Sequence, residues 1–141
     1  MDRELVDNKL ESLRRCVRRA EAKCPEQVEA LTGDYDAQDI LALNLTRAVQ
    51  LCVDVALHLV AESEHEPPPD TMAASFDALH RLGVLAPDLA ERLRRAVGFR
   101  NVAIHNYRAI DWAIVHTICR EHLGDFRAFA RAVDDRLGRS G

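Results

Sequence analysis

Apolar residues recur at helical spacing almost from end to end, and no segment alternates convincingly with the period of a strand. A first helix is predicted over Arg3 to Cys24, with Asp2 as its N-cap and Pro25 as its stop. The short piece PEQVEAL then precedes a turn at TGDYD. A second helix is predicted to open at Asp36, whose spacing to Asp39 approximates a capping box, and to run to about Glu62. EPPPD breaks the chain, because three prolines cannot continue a helix. A shorter helix follows over Thr71 to Leu82 and closes at Gly83, and another begins at APD with Pro87 in its first turn. RAID interrupts that one, and Asp111 caps a last helix from Trp112 to Leu137, ended by Gly138. The pattern predicts an all-α, up-and-down bundle of four to five helices. With 141 residues and no internal repeat or long linker, residues 1–141 are expected to form a single domain.

The second helix is apolar enough to raise the question of a membrane span. Asn44, Arg47, Gln50, Asp54 and His58 answer it, since they recur at three and four and draw one polar stripe. Arg or Asp near the centre of a span costs roughly 2.5–3.5 kcal/mol each, so a central bundle helix is expected and no membrane is implied. The stripe is either a solvated face or the lining of a polar cleft. The start, MDRELVDNKL, is charged and lacks an apolar signal core, so export is not expected. Cys16, Cys24, Cys52 and Cys119 are scattered without a C-x-x-C pair, which argues against a zinc site or a disulfide framework and suits the cytoplasm.

The net charge of −4 speaks against a general nucleic-acid coat. Locally the balance reverses: Arg92, Arg94, Arg95, Arg100 and Arg108 fall between Arg92 and Ile110 with no acidic residue among them. The chain uses 17 Arg and 2 Lys throughout, so composition explains the choice of arginine but not the missing acids. Such a patch can draw a polyanion to one place.

Within the patch lies RNVAIHNY, residues 100–107. The apolar stripe of its helix runs Leu89, Leu93, Val97, Ile104, with Ala96 beside it, and Arg100 stands on that stripe where a leucine would be expected. Tyr107 would join it if the helix continued. An unpaired buried charge is expensive, so Arg100 needs a core partner such as Asp54, or a wet cleft facing a partner subunit. Gly98, about 1 kcal/mol unfavourable inside a helix, is tolerable if another backbone approaches there. His105 follows Arg100 by five residues, ~140° around an ideal helix. The two converge only if the helix loosens before NYRAID, or if two copies bring their pairs together. An arginine that holds a phosphate and a histidine that exchanges a proton near neutral pH would suit cleavage at a ribose 2′-OH. That chemistry requires no metal or cofactor, and DNA would not be a substrate.

RNVAIHNY resembles the R-x4-H-x-Y signature of the HEPN superfamily, including the polar residue after the arginine, here Asn101. Within it, the chain is similar to the HepT-like toxins paired with minimal nucleotidyltransferase (MNT) antitoxins. LNLTRAVQLCVDVALHLV resembles that family's second helix, LGVL its midsection, and FRNVAIHNYRAID carries the motif. The resemblance implies an all-α homodimer with a cleft at its interface, where Arg100 and His105 of both copies meet. It implies a metal-independent endoribonuclease with Asn101 supporting, and an MNT antitoxin that silences it by transferring AMP to Tyr107. A bulky anion beside a phosphate-binding cleft would repel RNA. The alternatives are a non-catalytic HEPN-like subunit of a nucleotidyltransferase complex, and a ligand-free bundle in which Arg100 is fully ion-paired.

Overall fold

The computed structural model describes residues 2–138, and among these no strand occurs. Four of its helices begin at an Asp or Thr whose side chain satisfies a free N–H group of the first turn. α1 spans Arg3–Lys23, and the Asp2 carboxylate accepts from the Leu5 N–H at 3.0 Å. The short α2 covers Val28–Thr32. α3, Tyr35–Ser63, is capped by Asp34, which accepts from the Ala37 N–H at 3.0 Å. The expected start at Asp36 is therefore corrected by two residues, and the Asp36–Asp39 capping box does not form. Asp34 leads because its extended backbone, φ −114° and ψ 94°, holds the carboxylate over the first turn.

Glu64 in the left-handed region ends α3 ahead of the prolines. α4 follows over Met72–Arg81, capped by Thr71 onto the Ala74 N–H at 3.1 Å. Gly83 takes φ +78° directly after it, a conformation that suits glycine. α5 runs Pro87–His105 with Pro87 at its start, and a 3₁₀ turn of Tyr107–Ala109 follows.

Asp111 accepts from the Ala113 N–H at 2.9 Å and opens the last rod. That rod is not the uniform helix expected over Trp112 to Leu137. It consists of α6 (Trp112–Thr117), a π-helical turn (Ile118–His122) and α7 (Leu123–Arg136). At the junction the Thr117 hydroxyl donates to the Ala113 carbonyl at 3.1 Å, a local bond that competes with the regular ladder.

α3 is the hub, packing on α1, α4 and α5, while α1 and α5 also meet α7. One continuous core joins Leu10 and Leu13 of α1, Leu41, Leu45 and Val49 of α3, Phe76 and Leu79 of α4, Leu93 of α5 and Phe129 of α7. Phe76 and Phe129 meet edge to face at 6.1 Å. α3 is long and apolar enough to cross a membrane, but most of its apolar positions face this core, with Leu43 and Leu57 left exposed. Cys16, Cys24, Cys52 and Cys119 are free thiols, three of them buried.

Candidate functional site

α5 leaves the core partway along its length. Leu89, Leu93 and Val97 are buried, whereas Ile104 is 49% and Val102 40% exposed. The apolar stripe therefore leaves the core before Ile104, which no element among the described residues covers. Arg100 sits at the boundary and is half-buried.

Its guanidinium donates from Nη2 to Gln50 Oε1 on α3 and from Nη1 to its neighbour Asn101 Oδ1, each at 3.1 Å. Nε is buried without a partner among the described residues. Both partners are neutral amides. Asp54, the core partner suggested by the stripe, stands one step back. It accepts from Gln50 Nε2 at 2.8 Å and pairs with Lys9 at 3.4 Å. The Arg100 charge is thus positioned but not neutralised, which is inconsistent with a bundle that merely buries an ion pair.

The rest of the polar stripe divides. Asn44 is buried and donates to the Ile40 carbonyl at 2.8 Å, Arg47 is exposed, and His58 Nε2 is buried without a partner among the described residues. Gln50 alone of the stripe hydrogen-bonds the motif among the described residues, with Asp54 behind it.

The basic patch is smaller than the sequence suggests. Arg92 pairs with Asp125 at 2.9 Å, Arg94 with Glu91 at 3.0 Å and Asp77 at 3.5 Å, and Arg95 with Glu91 at 3.3 Å. The acids absent from the segment come from α4, from α7 and from just upstream. Arg100 and Arg108 are left without an ion pair among the described residues.

His105 is the exposed last residue of α5. The helix stays regular to that point, with the Asn106 N–H donating to the Val102 carbonyl at 2.9 Å. The loosening that would swing His105 towards Arg100 within one chain does not occur, and no hydrogen bond joins the two. Among the described residues, Gly98 has nothing within 4 Å of where its Cβ would stand. It borders an apolar groove of about 480 Å³ between α5 and α6, lined by Phe99, Val102, Ile110 and Ile114 among others.

Tyr107 occupies the 3₁₀ turn and is 40% exposed. Its hydroxyl donates to Asp39 Oδ1 in the second turn of α3, and its ring packs edge-on against Trp112 at 5.8 Å. Partial burial of the ring, then the hydrogen bond and charge of Asp39, push its phenol from 10.0 up to about 12. Asp39 and Gln50 were not singled out for the site by sequence reasoning. Gln50 had only its place in the polar stripe as a signal, and Asp39 had none that pointed at the motif.

Comparison with known proteins adds the family. The sequence matches the family described as "Ribonuclease HepT-like" over residues 10–133. The chain is 29% identical over 126 residues to the mRNA nuclease HepT of Shewanella oneidensis, covering 89% of this chain and 93% of that protein. It superimposes with a TM-score of 0.87 on the tri-AMPylated HEPN toxin of Shewanella oneidensis solved in complex with MNT antitoxin. That structure is 27% identical, covering 96% of this chain and 99% of its own. A toxin–antitoxin crystal structure with AMP-PNP superimposes equally well, at 0.87 and 26% identity over 94% and 98% of the two chains.

Proposed function

The chain belongs to the ribonuclease HepT-like family, and on that premise we propose that it is a ribonuclease toxin silenced by a nucleotidyltransferase antitoxin. One observation carries this reading: Arg100 is half-buried, held by the two amides of Gln50 and Asn101, and opposed by no carboxylate among the described residues. A fixed guanidinium with its charge intact can bind a phosphodiester and stabilise the charge that develops on it. His105, exposed at the helix end, takes the proton of a ribose 2′-OH or returns one to the departing 5′-oxygen. Asn101 supports the guanidinium from the side. Attack by the 2′-OH needs no metal and gives RNA, not DNA, as the substrate.

The site is completed by a second copy. Arg100 and His105 lie ~140° apart around a regular helix, which favours a cleft where the pairs of two chains face each other. The exposed Val102 and Ile104 beside the motif are the apolar surface such a homodimer would cover. The antitoxin, an MNT-type enzyme, transfers AMP to Tyr107, as the AMPylated Shewanella toxin in its MNT complex suggests. The added anion blocks the cleft by charge and bulk. Residues 1–141 act as one HepT-like domain, in the cytoplasm.

The test is RNA cleavage by purified protein in excess EDTA, wild type against His105→Ala. Cleavage that persists in EDTA and falls by roughly 10²–10⁴ in the variant is the expected result. Equal residual cleavage by both proteins would mark it as contamination and remove the ribonuclease assignment.

A further inference from the structure

Tyr107 and Asp39 meet across 68 residues of sequence, and their contact does more than pin a side chain. The ring of Tyr107 is fixed from three directions. Its backbone closes the 3₁₀ turn through the Ile110 N–H at 3.1 Å, the ring meets Trp112 edge to face at 5.8 Å, and its hydroxyl donates to Asp39. With the proton aimed at Asp39, the lone pairs of the phenolic oxygen point away from α3, and the residue remains 40% exposed. Asp39 is itself exposed and has no cation paired to it among the described residues, so its charge is not already spent.

We propose that Asp39 is the toxin's own general base for the modification of Tyr107. The idea rests on the reading of Tyr107 as the AMP acceptor. A bond forms between Tyr107 Oη and the α-phosphorus of ATP, and the bond from that phosphorus to the pyrophosphate oxygen breaks. Pyrophosphate leaves, and the phenolic proton passes to Asp39 Oδ1 and then to solvent. A phenol held near 12 stays protonated at neutral pH, so its proton has to leave during the attack. An aspartate accepting a hydroxyl proton is the arrangement protein kinases use for phosphoryl transfer. The antitoxin would then supply nucleotide and metal, and the toxin would supply both nucleophile and base.

The experiment measures AMP incorporation from ATP by the partner nucleotidyltransferase, at saturating enzyme, into wild type, Asp39→Asn, Asp39→Glu and Asp39→Ala. Melting curves check that each variant is folded, and peptide mass mapping locates the AMP. Asp39→Asn keeps the shape but is no base, and is expected to slow transfer about a hundredfold or more. Asp39→Glu should recover at least part of that loss, and added formate should accelerate Asp39→Ala without affecting wild type. A folded Asp39→Asn modified within threefold of the wild-type rate overturns the assignment. So does a slow Asp39→Asn when neither the glutamate variant nor formate recovers any rate. If wild type acquires no AMP on Tyr107, the function proposed above fails first, a result read from wild type alone.

Discussion

The two ends of α5 are built from similar residues and do opposite things. From Pro87 to Val97 the helix presents Leu89, Leu93 and Val97 to the core and pairs Arg92, Arg94 and Arg95 with acids. From Gly98 to His105 it exposes Val102 and Ile104 and leaves Arg100 facing amides. One half is scaffold, with apolar groups covered and charges answered. The other breaks both habits, and that departure marks the site better than the number of arginines does.

The sharpest way to break this comparison is to exchange what each half should lose. Arg100→Ala is expected to cut RNA cleavage by about 10²–10³, the scale of losing one fixed charge-stabilising donor, with little change in melting temperature. Leu93→Ala should do the reverse, destabilising the fold by about 2–5 kcal/mol in denaturant unfolding. Ile104→Ala, the matching truncation in the exposed half, should stay within about 0.5 kcal/mol for the isolated chain. Equal losses at 93 and 104 would erase the distinction.

A finer probe is Gln50→Glu. It would place a carboxylate where Arg100 now meets an amide, and RNA cleavage should fall about tenfold from partial neutralisation, a ~1.4 kcal/mol effect. The smallest signal is in Tyr107. Its phenol is raised from 10.0 to about 12, so it favours the folded state below pH 10 and loses that contribution as pH climbs to 12. An absorbance titration should show one tyrosine ionising late, absent in Tyr107→Phe and shifted downward in Asp39→Asn.

What could be read from the chain was local. Asp2 and Asp111 cap helices from positions next to them, Pro87 starts one, and Gly83 follows another, all within a turn of sequence. The motif was legible for the same reason, since Arg100, Asn101, His105 and Tyr107 are neighbours. Ambiguity appeared where two like residues compete locally, as when Asp34 rather than Asp36 caps α3. Pairings across the fold left no trace in spacing. Arg92 finds Asp125, Arg100 finds Gln50 and Tyr107 finds Asp39 only because the helices pack. The patch was overestimated, and Asp39 overlooked, for that one reason.

The distance along the chain between Arg100 and Gln50 also sets a schedule. Fifty residues separate the guanidinium from the amide that orients it, and 68 separate Tyr107 from Asp39. Contacts of that sequence separation form only when helices already made dock together. A chain still emerging from a ribosome, or one cut between α3 and α5, carries the whole motif but cannot hold its arginine in place. On the proposed function, cleavage is therefore a property of the finished fold, and any lesion that delays docking of α5 on α3 should lower it.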